Sequence, residues 1–186
     1  MIVRRARDTD LPAIVDIFNW AVLHTHTTFV VEPVRLESWR QAWRETARDH
    51  PWFVAERDAV VCGFARAAPH KGPCAYAWSV DVSAYVHPDH HRQGIATALY
   101  TRLLPTLRAQ GYRSAIAVIA VPNPASERLH AAFGLRRMGT LAAVGFKAGS
   151  WHDVEYWQLQ LRPDAAPPEP IRPVAEVCDG AAARSR

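Results

Sequence analysis

The sequence has few cysteines and no long apolar run, and each absence excludes a class of protein. Its three cysteines, Cys62, Cys74 and Cys178, are odd in number and show neither disulfide nor metal-ligand spacing. No apolar run approaches the roughly 20 residues that a membrane helix needs, and the amino terminus shows no signal segment. We therefore expect a soluble protein of the reducing cytoplasm with no membrane partner.

The sequence also lacks a concentrated basic patch, although its formal net charge is +4 and its pI is about 9.2. The densest basic cluster, Arg4, Arg5 and Arg7, is short and flanked by acidic residues. No stretch alternates aromatic with basic residues, so we expect no nucleic-acid partner. The 186 residues contain no internal repeat, and their length predicts one domain that is large enough to bury a core.

A stretch of alternating residues, 78 to 86, is the clearest structural signal that the sequence contains. One face would carry the apolar side chains and the other the polar ones. The apolar face comprises Trp78, Val80, Val82, Ala84 and Val86, and the polar face comprises Ser79, Asp81, Ser83 and Tyr85. Period-two alternation predicts a β-strand with one face on the core.

A polar loop follows this strand and leads into a helix. Pro88 closes the strand, Gly94 lies in the turn, and Ile95, Leu99 and Leu103 then recur every four residues. Such a junction directs unpaired backbone N–H groups into the loop, which suits a phosphate or pyrophosphate. Pro105 removes a helical donor, so we expect a kink or an early helix end there.

The remaining elements can be placed from periodicity and from glycine and proline punctuation. The predicted strands are 2–6, 52–56, 60–67, 114–121, 137–146 and 153–161, and the predicted further helices are 11–23, 36–48 and 126–133. Asp8 and Thr9 are the candidate caps of the first helix. Residues 1–162 form the predicted domain, and residues 163–186 form a Pro- and Ala-rich tail expected to be mobile, although 171–177 could dock.

Histidines invite a metal hypothesis, which the spacing does not support. His24 and His26 have no carboxylate or cysteine at ligand spacing, and neither do His87, His90 and His91. We therefore expect no metal. Phe29, in the polar loop after the first helix, is compatible either with a pocket wall or with a surface loop that covers the core.

Several segments resemble one known enzyme family. The loop His91-Arg92-Gln93-Gly94-Ile95-Ala96 is similar to the pyrophosphate loop Gln/Arg-x-x-Gly-x-Gly/Ala of the GNAT acetyltransferases, with His91 at a position that prefers Gln or Arg. Segments 75–78, 85–86, 99–104, 117–119, 128–130, 145–147, 151–154 and 167–174 resemble the phosphinothricin N-acetyltransferases within that superfamily.

The resemblance implies a mixed α/β fold. Its sheet would contain about seven mostly antiparallel, twisted strands flanked by about four helices, with a splayed parallel pair that holds the cofactor. It further implies acetyl transfer from acetyl-CoA to the α-amino group of phosphinothricin or a related small amino acid, and a homodimer.

The resemblance also assigns roles to residues of this sequence. Acetyl-CoA would contact Val86, His91, Arg92, Gln93, Gly94, Ile95, Ala96 and Asn123. The amino-acid pocket would comprise Phe29, Lys71, Tyr76 and Tyr85. Asp81 would be the general base, and His130 would lie beside the active site.

Chemistry provides a separate reason to consider Asp81 and Tyr85. Asp81 and Tyr85 share the polar face of the central strand, where a carboxylate could accept a proton and a phenol could protonate the departing thiolate. Asp81 could equally face solvent, Tyr85 could be structural, and His130 could simply pack on a helix surface. A backbone N–H near Val86 could bind the oxyanion of the tetrahedral intermediate.

Three positions depart from the family pattern. Asp81 replaces a glutamate and is one methylene shorter, Pro73 replaces a pocket arginine, and Ala120 replaces a glycine and is expected to narrow the groove. The alternatives that these departures leave open are acetylation of methionine sulfone, methionine sulfoximine or another small amine, and an acyl-CoA-binding regulator without turnover.

Overall fold

The computed structural model describes residues 1–72, 74–163 and 166–183, with side chains up to residue 178. Its strands are β1 (Ile2–Arg5), β2 (Trp52–Arg57), β3 (Val60–Pro69), β4 (Ser79–Val86), β5 (Ser114–Val121), β6 (Arg136–Lys147) and β7 (Ser150–Gln160). Its helices are α1 (Leu11–His24), α2 (Leu36–Thr46), α3 (Ile95–Gln110), α4 (Pro124–Ala132) and α5 (Val174–Ala183). The predicted mixed α/β fold is confirmed. Within the described residues, no helix is both long and apolar enough to cross a membrane.

The strands form one sheet in the order β1-β2-β3-β4-β5-β7-β6. Every neighbouring pair is antiparallel except β4 and β5, which run parallel. That parallel pairing joins only Ser79 to Ser114, Val80 to Ala115 and Asp81 to Ile116. Beyond Asp81 the two strands separate, as the predicted splayed pair requires, and we call the point of separation the apex.

A hydrophobic core lies on each face of the sheet. α3 packs on one face through Ile95, Leu99, Leu103 and Leu107, whose spacing forms a single apolar stripe against Val80 and Val82. The other face is covered by α1 and α2, with Leu11, Ile14, Phe18 and Trp39 packing on Val54 and Phe64. The gap between β4 and β5 opens between these two cores.

Two predictions about helix boundaries need correction. Of the kink or early end predicted at Pro105, the early end is wrong, because α3 continues to Gln110, where Gly111 ends it with a φ of 104°. Asp8 and Thr9 lie in a short 3-10 turn before α1, and the carboxylate of Asp10 accepts the hydrogen bond from the Arg7 N–H at 2.7 Å. The residue at the N-cap of α1 is therefore Asp10, and its side chain bonds back to Arg7 rather than to the helix.

The carboxy-terminal segment contains a helix that packs on the α3 side of the sheet. Val174 and Cys178 are buried in that core, and Ile171 and Val177 pack against it. The buried Gln110 side chain donates hydrogen bonds to the carbonyl oxygens of Asp49 and Arg172, at 2.8 Å each. The division of the chain into residues 1–162 and a mobile tail stays a prediction.

Candidate active site

The separation of β4 from β5 opens a cleft of about 870 Å³. One wall is the second half of β4, with Ser83, Tyr85 and Val86, and the opposite wall is β5 with the start of α4. The loop before α3 closes one end of the cleft. A space that lies along two diverging strands suits an extended ligand.

Backbone amides of β4 line this cleft without a partner strand. The His87 N–H donates to the Cys62 carbonyl oxygen at 2.8 Å, across the antiparallel pair of β3 and β4. Because successive residues of an antiparallel strand direct their N–H groups to opposite sides, the amides of Tyr85 and Ser83 point toward β3. Those of Ala84 and Val86 therefore face the cleft, where β5 has already diverged.

The loop between β4 and α3 presents more backbone donors. Gly94 has a φ of 76°, and a Cβ built on it would meet no atom within 4 Å, so a glycine there both permits the turn and leaves room for a ligand. The N–H groups of the first α3 turn have no partner within the helix. His91 fixes the loop by donating from Nε2 to the Val86 carbonyl oxygen at 3.0 Å.

The structure brings seven of the eight predicted cofactor residues to the cleft. Val86, His91, Arg92, Gly94, Ile95, Ala96 and Asn123 line it. Gln93 does not, because its side-chain oxygen accepts a hydrogen bond from Arg57 at 2.5 Å and its nitrogen donates to the Asp89 carbonyl oxygen. Asn123 caps α4, accepting a hydrogen bond from the Ser126 N–H at 3.2 Å.

His130 lines the cleft from α4 but has both ring nitrogens engaged. Nδ1 lies 2.7 Å from the Ser126 carbonyl oxygen and must donate to it, so Nε2 accepts from the Tyr100 hydroxyl at 2.9 Å. Burial lowers the pKa of His130 and raises that of Tyr100. A neutral imidazole in this fixed tautomer holds α4 against α3 and has no free nitrogen for proton transfer.

Tyr85 projects from β4 into the cleft and retains its proton. Its ring packs edge-on against Phe18, with centroids 5.1 Å apart, and lies nearly parallel to Phe64. Burial raises the pKa of its hydroxyl. At neutral pH the phenol is therefore a hydrogen-bond donor, as protonation of a departing thiolate requires.

Asp81 occupies the apex, and its carboxylate lies outside the walls of the cleft itself. Its Oδ1 is 2.7 Å from Nδ1 of His70, a residue that follows β3. Tyr76 contacts the His70 ring edge-on, and the Lys71 ammonium lies 5.4 Å from the centre of the Tyr76 ring. Burial raises the pKa of the Asp81 carboxyl, whereas the His70 hydrogen bond and Lys71 act in the opposite direction. The predicted residues Lys71 and Tyr76 thus meet Asp81 here, and we call these four side chains the apex cluster.

Phe29 is separate from this cluster. Its ring covers Gly145 so closely that a Cβ there would lie 2.2 Å from a ring carbon. The ammonium of Lys147 donates to the carbonyl oxygens of Thr28 and Val30 at 2.7 and 2.9 Å. Together these contacts fix the loop after α1, which places Thr25 and Thr27 in the cleft wall.

Two family departures can now be located. Ala120 is buried in β5 and does not line the cleft, contrary to the expected narrowing of the groove. Pro73 lies outside the described residues. Among the described residues, no group of three or more His, Cys, Asp or Glu side chains could hold a metal ion.

Sequence reasoning missed His70. A single histidine in a loop rich in proline and glycine carries no motif. The signal that could have found it is the register of the hairpin. Ala68 pairs with Asp81, so His70, two positions beyond Ala68, falls diagonally beside that aspartate on the same face.

Comparison with known proteins agrees with this geometry. Residues 14–135 match the profile described as "Acetyltransferase (GNAT) family". The phosphinothricin N-acetyltransferase of Streptomyces viridochromogenes is 41% identical over 94% of this chain and 95% of its own length. The L-methionine sulfoximine/L-methionine sulfone acetyltransferase of Salmonella typhimurium is 36% identical over 90% of this chain and 98% of its own.

A solved structure shares the whole architecture. The crystal structure of a GNAT superfamily phosphinothricin acetyltransferase from Sinorhizobium meliloti, in complex with acetyl-CoA, superimposes with a TM-score of 0.86. It is 32% identical, and the match covers 90% of this chain and 92% of that one. The family profile matches more than half of the chain, the related enzymes align over nearly its whole length, and the fold is shared. The chain therefore belongs to the GNAT acetyltransferase family.

Proposed function

We propose that the chain transfers the acetyl group of acetyl-CoA to the α-amino group of phosphinothricin or of a close analogue. The observation that carries the proposal is the splay of β4 from β5, which leaves the Ala84 and Val86 amides facing a cleft closed by the Gly94 turn. The extended pantetheine arm would pair with these amides, and the pyrophosphate would lie against the turn and the first N–H groups of α3.

The acceptor amino acid is proposed to bind at the apex cluster. An amino acid offers an ammonium and a carboxylate, and the cluster offers the Asp81 carboxylate and the Lys71 ammonium. Phosphinothricin, methionine sulfone and methionine sulfoximine add a second polar group on sulfur or phosphorus. Relatives named for each of these substrates support this acceptor class.

The chemistry follows from this arrangement. The ammonium first loses a proton to a basic group of the apex cluster, to which Asp81 belongs. The nitrogen lone pair then attacks the thioester carbon, and an amide from β4 donates a hydrogen bond to the oxyanion. The carbon–sulfur bond breaks, and Tyr85 is placed to protonate the thiolate. Phe29 and His130 are proposed to support the walls of the site rather than to react.

Release of free CoA thiol tests the proposal. The assay compares phosphinothricin, methionine sulfone, methionine sulfoximine and ordinary amino acids for the wild type and for Asp81→Ala. We expect turnover on one of the first three that falls at least tenfold in the variant, about 1.4 kcal/mol of activation free energy. Bound acetyl-CoA without turnover on any of these amines would contradict it and would favour a CoA-binding regulator. Preference for the sulfone or the sulfoximine would identify the acceptor within the same reaction.

A homodimer forms the second part of the proposal. Large apolar side chains are exposed on the β6–β7 hairpin, including Met138, Phe146 and Trp151, at 64%, 57% and 65% exposure. Phe146 and Trp151 also contact each other, with ring centroids 5.3 Å apart. A second copy of the chain would cover this surface. Light scattering on the wild type should give twice the chain mass, and Trp151→Glu should reduce it; a monomeric wild type would contradict the proposal.

The enzyme is further proposed to work in the cytoplasm. Cys62, Cys74 and Cys178 are free thiols, as a reducing compartment keeps them.

A further inference from the structure

His70 and Asp81 form a pair whose geometry resembles that of an acid–base dyad. The imidazole is largely covered, with 14% of its side chain exposed, and Nδ1 lies 2.7 Å from the carboxylate. Tyr76 packs edge-on against the ring. A side chain held on two sides in this way keeps one orientation, as a group that transfers a proton in a single step must.

The hydrogen bond determines which ring nitrogen can act as a base. An ionised carboxylate only accepts hydrogen bonds, so Nδ1 carries the proton and donates it to Asp81. In the neutral ring the acceptor is then Nε2. Within the described part of the chain, Nε2 of His70 has no hydrogen-bond partner. By contrast, the buried His130 has no nitrogen left.

The position of the pair matches the place where chemistry would occur. Asp81 is the last residue of β4 that pairs with β5, and Ser83, two residues further on the same face, already lines the cleft. Opposite Asp81 in β3 stands Ala68, whose small side chain leaves space for the imidazole. His70 lies beside Asp81 in the apex cluster, where the acceptor amino acid is proposed to bind.

We propose that Nε2 of His70 is the atom that accepts the proton from the acceptor ammonium, with Asp81 as the positioning residue that fixes its tautomer. This inference rests on the proposed function and deepens it. The N–H bond of the ammonium breaks and its proton forms a bond to Nε2, which leaves the lone pair for the thioester carbon. The carbon–sulfur electron pair leaves with the CoA sulfur, which Tyr85 protonates. The imidazolium returns its proton to solvent, from which Tyr85 is reprotonated.

Groups around the dyad could also titrate, so the test must separate them. Lys71 and Tyr76 face it from the loop after β3, and Asp81 faces it from β4. The variants are His70→Gln, which retains a hydrogen-bonding side chain without a base, His70→Ala, and Asp81→Asn. The matched control is His24→Gln, an exposed histidine at the end of α1.

The measurements are kcat and kcat/KM across pH, together with the Kd of acetyl-CoA by calorimetry. His70→Gln should reduce kcat about 10²-fold or more, leave the Kd of acetyl-CoA unchanged and remove the acidic limb of the kcat/KM profile. Asp81→Asn should reduce kcat similarly because its amide favours the other tautomer. Added imidazole should restore part of the activity of His70→Ala, and the control should behave as the wild type.

Two results would overturn the dyad while leaving the proposed function intact. One is an active wild type whose kcat and acidic limb persist in His70→Gln. The other is a loss of activity in both His70 variants without a change in the shape of the pH profile and without rescue by imidazole, which marks a structural residue. If His70→Ala does not fold, the pH profile of His70→Gln decides. If His70→Gln does not fold, imidazole rescue of His70→Ala decides. A wild type that binds acetyl-CoA but acetylates none of the amines would overturn the proposed function itself, and the dyad with it.

Discussion

The Lys147 ammonium donates two hydrogen bonds to the loop after α1, which makes this residue a sharp test of how the cleft wall is built. Lys147→Met retains most of the apolar stem and removes the two hydrogen bonds to the Thr28 and Val30 carbonyl oxygens. A hydrogen bond to a charged group contributes roughly 1.5–3 kcal/mol. Water can hydrate both carbonyl groups once they are released, so we expect the net loss for the pair to be about 2 kcal/mol.

That loss should appear as local opening rather than global unfolding. At about 1.4 kcal/mol per factor of ten, amide hydrogen exchange in residues 25–31 should become about 30-fold faster. Exchange in α3 should not change, because its buried stripe packs in a different core from α1, which the loop follows. Since Thr25 and Thr27 line the cleft, KM for acetyl-CoA should also rise.

Hydrogen exchange measured by mass spectrometry reports both segments in one experiment. The matched control is Arg108→Met, which removes an exposed positive charge from the last turn of α3. Unchanged exchange in residues 25–31 of Lys147→Met would show that Phe29 and Gly145 hold the loop without the lysine. Equal acceleration in both segments would show that Lys147 supports the whole fold, and would refute the local interpretation.

Three further predictions concern the cleft. Gly94→Val forces a β-branched residue to a φ of 76°, which costs about 1–2 kcal/mol or more. Steady-state kinetics should therefore show a KM for acetyl-CoA that is at least about tenfold higher. The control is Gly139→Val, where the backbone is unstrained and the added side chain meets open space, and equal effects of the two variants would contradict the reasoning. Tyr100→Phe leaves the buried Nε2 of His130 unpaired and should lower the free energy of unfolding by about 1–3 kcal/mol in urea titrations; an unchanged midpoint and slope would refute this. Burial lowers the pKa of His130 in the folded state, so the unfolded chain binds more protons, and this contribution to stability falls as pH drops below about 6.5. The decline in unfolding free energy between about pH 7.5 and about pH 5.5 should therefore be smaller in His130→Gln, and an identical decline would contradict it.

Much of the fold could be predicted because its signals are local. The four-residue repeat of α3 survives intact in the structure, and the alternation of β4 appears in the burial of its first half. The predicted early end of α3 was wrong because tertiary burial opposes the local rule. A helical proline costs about 3 kcal/mol, whereas Leu103, Leu104 and Leu107, which surround it, are buried and stabilise the helix by about 1.5–3 kcal/mol each.

The site was only partly predictable because its decisive contacts cross the sequence. The turn around Gly94 follows from residues that are neighbours in the chain. The partner of Asp81 is eleven residues away, and the support of Phe29 comes from the other end of the domain, at Gly145. Those pairings depend on strand register and hairpin packing, which no short motif encodes. His70 therefore becomes visible only once the strands are paired.

The short pairing of β4 with β5 has a thermodynamic consequence for the whole protein. A sheet that stops pairing at Asp81 leaves its centre incomplete, and a bound pantetheine arm would act as the missing strand. The ligand would then complete the sheet rather than lie on the protein surface. At a concentration of about 100 times its Kd, such a ligand stabilises the native state by about 2.7 kcal/mol. The cellular supply of acetyl-CoA would therefore set how long the enzyme persists as well as how fast it works.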